Sequence, residues 1–185
     1  DWSSDVCSSD LSVKEFAVAL SKANVLFIPG GFSGADEPDG SGKFITSFLR
    51  NEAISVELMK LLNERDGLVA GICNGFQALI KLGLLPYGEI GVQKENSPTL
   101  TFNNIGRHQS KLVRTKLCST RSPWLRKASV GQILTVPISH GEGRFVANTN
   151  DIDTMLENGQ ILTQYVDFEG NPTKIGRASC RERVY

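Results

Sequence analysis

The segment VAGICNGFQAL, residues 69–79, places a cysteine between an apolar run and an Asn-Gly pair. The run GLVAGI is typical of a buried strand, and NGFQALIKLG has helical spacing that ends at Gly83. Cys73 is therefore predicted to lie at the tip of a strand, where a helix begins. Both the unsatisfied N–H groups of the helix and the positive end of its dipole favour a thiolate there.

The pattern Gly71-Ile72-Cys73-Asn74-Gly75 is the thiol version of a nucleophile elbow. Its two glycines relieve crowding in a tight strand-to-helix turn, and the backbone of the nucleophile is strained outward. The N–H of Asn74 can then donate to an oxyanion, and Gly31 in the PGGFS segment is a candidate for the second donor. The alternative is that Cys73 is a small core residue at a helix start, which the PGGFS segment makes less favourable.

Helical and strand-like patterns alternate on both sides of this junction, which predicts an α/β fold with a mostly parallel sheet and helices on both faces. Residues 44–62 form an amphipathic segment that Asn51 divides, and a later helix is capped at Asn150 or Asp151. Ligands bind at the carboxyl ends of parallel strands. Three glycine-containing turns follow predicted strands, and we expect them to cluster: PGGFS, GICNG and HGEG. The strand-like segments are NVLFI, GLVAGI, TLTFNNI, KLVRTKLC, QILTVPIS and ILTQYVDF.

The two ends of the chain differ in character from the middle. Back-translation of residues 1–11 and 174–185 yields the cores GCTCTTCCGATCT and AGATCGGAAGAGC, which are reverse complements and resemble a sequencing-library adaptor. We therefore predict adaptor artefacts at both ends, with residues 12–173 forming one partial domain; disordered native tails are the alternative. A partial domain would leave an unpaired sheet edge or an uncovered apolar face.

Composition excludes several classes of function. Without the two tails only Cys73 and Cys118 remain, which argues for a reducing cytoplasm and against a disulfide or zinc framework. The formal net charge is zero, with no basic stripe for nucleic acid and no apolar run long enough for a membrane. The acidic residues Asp36, Glu37 and Asp39 suggest a metal only weakly, because no histidine accompanies them. We predict a solvated loop and no metal.

Several motifs together resemble the glutamine amidotransferase domain of phosphoribosylformylglycinamidine synthase, an enzyme of de novo purine synthesis. In order along the chain they are PGGFS, GICNGFQALIKLGLLP, IGRH, SPWL, HGEGRF and YVDFEGNPT. The resemblance covers essentially all of residues 12–173. It implies a Rossmann/flavodoxin-like class I amidotransferase domain, incomplete at both ends.

The resemblance implies that Cys73 attacks glutamine, releases ammonia and forms a thioester that water resolves. Gly31 and Asn74 would form the oxyanion hole. The domain itself would need no cofactor; ATP and Mg²⁺ would belong to a synthetase domain that uses the ammonia. The stretch GFSGADEPDGSGKF is more similar to the domain fused to that synthetase in single-chain enzymes than to the separate subunit. The expected partners are thus glutamine and a synthetase domain in the same native chain.

His140 and Glu142 of HGEGRF are the obvious candidates for a base and its orienting group. We decline that assignment, because the family's catalytic His and Glu belong to a later His-Pro-Glu motif; this chain is therefore expected to lack them and to be nearly inactive. His140, Gly141 and Glu142 are instead expected to bind glutamine, together with Phe32. Gln77 either reaches the substrate amide or caps the elbow.

His108 is expected to be a surface or structural histidine. Cys118 is expected to be an inert strand residue, and Trp124 a packing anchor or part of a contact with the synthetase. Two other classes remain open. One is another cysteine hydrolase or class I amidotransferase of the same fold, and the other is a non-catalytic docking domain.

Overall fold

The computed structural model describes residues 2–31 and 42–173, with the backbone alone for residues 2–10. The chain divides into two compact units, Asp1–Val92 and Gln93–Tyr185. The first unit contains α1 (Trp2–Ser21), β1 (Val25–Ile28), α2 (Lys43–Leu49), α3 (Glu52–Asn63), β2 (Leu68–Gly71), α4 (Asn74–Leu82) and α5 (Leu84–Tyr87). The second contains β3 (Thr99–Thr101), β4 (Gln109–Leu117), a 3₁₀ turn (Pro123–Leu125), β5 (Ile133–His140), β6 (Arg144–Val146), α6 (Thr149–Glu157) and β7 (Thr163–Val166).

The core of the first unit is built by its helices. On α3, Ile54, Leu58 and Leu61 recur at helical spacing and are fully buried. They belong to one apolar cluster with Leu20 of α1, Leu49 of α2, Leu79 and Leu82 of α4, and Ile28 of β1. Asn51 divides α2 from α3 as predicted, because its side chain accepts a hydrogen bond from the Ala53 N–H and caps α3.

Strands β1 and β2 pair in parallel, from Val25 opposite Leu68 to Ile28 opposite Gly71. Of β1, Ile28 lies in the core, whereas Val25 and Phe27 are about half exposed. The prediction of a fully buried strand is therefore wrong for the face that carries Val25 and Phe27. That this exposed face is where a further segment of the domain would pack stays a prediction.

The second unit is antiparallel. Strand β4 pairs with β5 on one side and β7 on the other, and β3 pairs with β6. Parallel neighbours need a long crossover, usually a helix, and the connection from β4 to β5 contains only the 3₁₀ turn among its named elements. The α/β class is confirmed, but within the described residues the predicted parallel pairing is found only between β1 and β2.

Helix termini follow the local sequence closely. Gly83 ends α4 with a positive φ of 88°, as predicted. The cap of α6 lies earlier than predicted, because Asn148 accepts a hydrogen bond from the Asp151 N–H and donates one to the Asp151 carboxylate. Residues 174–185 lie outside the described residues, and the helical backbone of residues 2–10 leaves the adaptor prediction untested. Within the described part of the chain, no helix is long and apolar enough to span a bilayer.

Candidate active site

Cys73 lies between β2 and α4, where it is the N-cap of the helix. Its backbone dihedrals are φ 53° and ψ −111°, and its side chain is exposed. Positive φ is rare for a residue with a β-carbon and costs about 1–3 kcal/mol. A cysteine with a strained backbone just after a strand, followed at once by a helix, is the geometry that the G-x-C-x-G pattern predicts. The alternative of a small buried core cysteine is wrong.

The glycines around Cys73 are required by close backbone contacts. A β-carbon on Gly75 would collide with the carbonyl oxygen of Ile28, at the end of β1. One on Gly71 would lie 2.7 Å from the backbone of Gly75. At Gly75 and at Gly71 the added β-carbon would come closer than van der Waals contact allows. Any side chain at either position would therefore push α4 away from the strands. The predicted relief of crowding is thus present at both positions.

The Pro-Gly-Gly turn after β1 lies against the cysteine. A β-carbon on Gly30 would be 2.9 Å from the Cys73 β-carbon and 3.7 Å from Sγ. Because β1 and β2 run in parallel, their carboxyl ends place this turn and Cys73 side by side. Gly31 is exposed and has φ 125°, a conformation that glycine adopts without strain. Its role as an oxyanion donor stays a prediction, and Phe32 lies outside the described residues.

Backbone hydrogen bonds hold the elbow in place. The Ile72 N–H donates to the Ile28 carbonyl at 3.0 Å, and the Gly75 N–H donates to the Ile72 carbonyl at 2.9 Å. Asn74 is the first helical residue and directly follows Cys73, and its role as an oxyanion donor stays a prediction. Asn74 and Gln77 are both buried, and whether Gln77 contacts substrate or supports the elbow stays open.

In the second unit, the HGEG turn joins β5 to β6. His140 is the last residue of β5 and is buried. Asn103, which follows β3, bonds this turn through both its backbone and its side chain: its N–H donates to the Gly141 carbonyl at 2.9 Å, and its Oδ1 lies 2.9 Å from His140 Nδ1. Sequence reasoning missed Asn103, because it placed this residue inside the strand-like segment TLTFNNI, whereas β3 ends at Thr101.

The surroundings of His140 disfavour its charged form. Burial lowers the pKa of His140, and the positive charges of His108 and Lys111 lower the pKa further. A neutral imidazole is therefore the form expected near neutral pH. His108 itself is exposed and lies 2.9 Å from the Ser139 hydroxyl, as expected of a surface histidine.

The remaining predicted residues divide between the units. Cys73, Gly31, Asn74 and Gln77 belong to the first unit, and His140, Gly141 and Glu142 to the second. Cys118 is exposed and lies just after β4, and Trp124 is partly exposed in the 3₁₀ turn. Asp36, Glu37 and Asp39 lie outside the described residues. Across residues 2–31 and 42–173, no group of three or more His, Cys, Asp or Glu side chains could hold a metal ion.

Comparison with known families decides the assignment of the fold. The model of the CobB/CobQ-like glutamine amidotransferase domain matches residues 2–178. The chain belongs to this family. Curated proteins described as phosphoribosylformylglycinamidine synthase subunit PurQ are similar to the chain. The protein from Aquifex aeolicus is 34% identical over 82% of this chain and 59% of its own length. That from Methanococcus maripaludis is 35% identical over 80% of this chain and 52% of its own.

Solved structures agree with this family. The structure of PurLQS from Thermotoga maritima matches 78% of this amidotransferase chain and 56% of its own chain, with a TM-score of 0.58 and 28% identity. The glutaminase domain of Trypanosoma brucei CTPS, solved with bound acivicin, has a TM-score of 0.50 and 14% identity, which shows a shared fold alone. The chain spans little more than half the length of the curated relatives described here.

Proposed function

We propose that this amidotransferase domain is the glutaminase part of a phosphoribosylformylglycinamidine synthase. The observation that carries the proposal is the strained, exposed Cys73 at the β2–α4 elbow, with the Gly30 backbone packed against it. The PurQ relatives, at 34% and 35% identity, supply the reaction class. A non-catalytic docking domain would have no need of a cysteine held in a strained backbone conformation.

The proposed chemistry is nucleophilic. The Cys73 thiolate attacks the side-chain amide carbon of glutamine, and the carbon–nitrogen bond breaks with release of ammonia. Water then hydrolyses the thioester to glutamate and restores the thiol. The N–H groups of Gly31 and Asn74 would stabilise the oxyanion, each by about 3 kcal/mol. His140, Gly141 and Glu142 are proposed to contribute to glutamine binding rather than to proton transfer.

The proposed partner is a synthetase component that uses the ammonia. There ATP and Mg²⁺ would drive conversion of the formylglycinamide ribonucleotide amide to an amidine, in the cytoplasm and as a step of purine synthesis. The Thermotoga maritima structure is described as PurLQS, which supports a multicomponent assembly for that relative. Fusion of the synthetase to this domain remains part of the proposal.

Selective alkylation tests the proposal within one molecule. Cys73 and Cys118 are both exposed, so Cys118 is an internal control. A glutamine analogue with an electrophilic carbon should modify Cys73 well before Cys118, whereas iodoacetamide should modify both. Peptide mass spectrometry measures the two rates, and added glutamine should slow the reaction at Cys73 alone. Equal rates with the glutamine analogue, or no protection by glutamine, would refute the glutaminase proposal.

A further inference from the structure

Helix α2 lies alongside α4, the helix that begins at the elbow. At the start of α2, a β-carbon on Gly42 would be 2.7 Å from the Ala78 backbone nitrogen and 3.1 Å from the Asn74 carbonyl oxygen. At the end of α2, the Arg50 side chain donates to the Lys81 carbonyl in the last turn of α4 at 3.0 Å. The start of α2 therefore meets the first turns of α4, and the end of α2 meets the last.

Gly42 is held in a conformation that favours glycine. It is buried, and its backbone has φ 81° and ψ 3°, in the left-handed region. Its carbonyl oxygen accepts two hydrogen bonds from Thr46, one from the N–H at 2.9 Å and one from the hydroxyl at 2.7 Å. Thr46 is also buried, so the hydroxyl bond is protected from water. Gly42 is thus fixed against α4 by a side chain of its own helix.

The first turn of α4 is consequently in contact with two other elements. Gly75 lies against the Ile28 carbonyl of β1. Asn74 and Ala78, which are four residues apart on one face of the helix, lie against Gly42 of α2. An oxyanion donor must lie about 2.7–3.1 Å from the oxygen that it stabilises, so the position of this turn decides whether the Asn74 N–H can take its proposed role.

We propose that Gly42 is a positioning residue for the reaction of Cys73. Because it has no side chain, it lets α2 hold the first turn of α4 where the Asn74 N–H donates to the oxyanion. This inference deepens the proposed function and rests on it for the reaction. Alanine at position 42 would push Ala78 away, since 2.7 Å is well inside van der Waals contact. A misplacement of about 1 Å costs roughly a hundredfold in rate, so a shift of about half that size should cost about tenfold.

Gly88→Ala is the matched control for Gly42→Ala. Gly88 has φ 79° and ψ 7°, almost the same backbone conformation as Gly42, but it is exposed and a β-carbon there meets nothing within 4 Å. The two alanine variants therefore share the cost of a left-handed backbone, and only Gly42→Ala also meets α4. Thr46→Val and Thr46→Ser form a milder pair, because valine loses the hydroxyl that holds Gly42 and serine keeps it.

Backbone amide NMR of the ligand-free chain tests the contact without reference to activity. The ¹H–¹⁵N signals of residues 73–75 should move in Gly42→Ala and stay in place in Gly88→Ala. Thr46→Val should move the same signals by less, and Thr46→Ser should leave them in place. A folded Gly42→Ala variant whose elbow signals stay in place would overturn the positioning role. If that variant does not fold, Thr46→Val decides by the same criterion.

Saturation kinetics with the chloromethyl ketone analogue of glutamine connect this contact to the chemistry. The Cys73 sulfur displaces chloride, so that a carbon–sulfur bond forms and the carbon–chlorine bond breaks, while the neighbouring ketone oxygen takes the oxyanion position. In Gly42→Ala the maximal rate at Cys73 should fall about tenfold, with little change in the half-saturating concentration. Gly88→Ala should keep the rate of the wild type. Iodoacetamide, which needs no oxyanion donor, should modify Cys73 at similar rates in all three proteins.

The outcomes separate this inference from the proposed function. Equal maximal rates in Gly42→Ala and Gly88→Ala, or an equal fall with both reagents in Gly42→Ala, would overturn the positioning role. Preference of the analogue for Cys73 over Cys118 in the wild type would then leave the glutaminase proposal intact. A wild type without that preference would overturn the glutaminase proposal and the reaction part of this inference. The amide signals would still decide whether Gly42 sets the position of the elbow.

Discussion

The Cys73 elbow and the HGEG turn are both glycine-containing turns at the end of a strand, but they are held in different ways. The elbow is held by backbone, because Gly71 and Gly75 allow the start of α4 to approach β1 and β2. The HGEG turn is held by one side chain, Asn103, which lies 37 residues before His140 in the sequence. The elbow therefore requires that Gly71 and Gly75 have no side chain. The HGEG turn instead requires the side-chain amide of Asn103.

The largest expected effect is at the elbow. Gly75→Ala would place a methyl group against the Ile28 carbonyl, and neither the strand nor the helix can move away cheaply. We expect a loss of about 3 kcal/mol in the free energy of unfolding, at the upper end for overpacking. Urea denaturation measures it, with Gly91→Ala as the control, because a β-carbon at Gly91 meets nothing within 4 Å. Similar losses in the two variants would show that the close contact is not present.

The second effect concerns the HGEG turn. Asn103→Ala removes the acceptor for the Gly143 N–H and the donor for the His140 carbonyl, in a buried position. Unsatisfied buried groups cost about 1–3 kcal/mol, so we expect a loss of about 2 kcal/mol in unfolding free energy. The exposed neighbour Asn104→Ala should change it by less than about 0.5 kcal/mol. If the two variants are equally stable, the side chain of Asn103 does not hold the turn.

This contrast explains how much could be predicted from the sequence. The elbow was predictable, because its strand, cysteine and glycines are consecutive and their crowding follows from local geometry. The cap of α3 by Asn51 was predictable for the same reason. Asn103 was not, since its partners His140 and Gly143 are distant in sequence and the segment TLTFNNI was predicted to be a strand throughout. The antiparallel pairing of the second unit was also missed, because the direction of a short strand depends on its long-range neighbours rather than on its own residues.

The third prediction is that glycine at position 73 gives a more stable protein than alanine, the reverse of the usual order of these two residues. Cys73 is exposed and has φ 53°, so its removal loses little buried surface, and glycine relieves the backbone strain. We expect Cys73→Gly to be more stable than Cys73→Ala by about 1 kcal/mol, since strain of about 1–3 kcal/mol is partly offset by the greater entropy of unfolded glycine. Parallel urea denaturation of the two variants measures the difference. A less stable glycine variant would mean that the elbow is not strained.

The smallest expected effect is a pH dependence of stability that comes from His140. Because its pKa is lowered from 6.5 in the folded chain, the unfolded chain binds more protons in the interval below that value. The contribution of neutral His140 to the free energy of unfolding is therefore fully present above about pH 6.5. It is lost as the pH falls below that value. Glutamine at position 140 stays neutral and can still donate to Asn103 Oδ1, so His140→Gln should lack this contribution.

The difference in unfolding free energy between the wild type and His140→Gln separates the contribution of His140 from that of the carboxylates. The unfolding free energy of the wild type minus that of His140→Gln should fall as the pH is lowered from about 8 to about 5. In the background of His108→Gln the same difference should fall less, because the charge of His108 contributes to the lowered pKa of His140. A difference that is flat, or that rises toward low pH, would mean that His140 is not held in its neutral form. The HGEG turn would then tolerate an imidazolium, and its geometry would depend on charge as well as on the amide of Asn103.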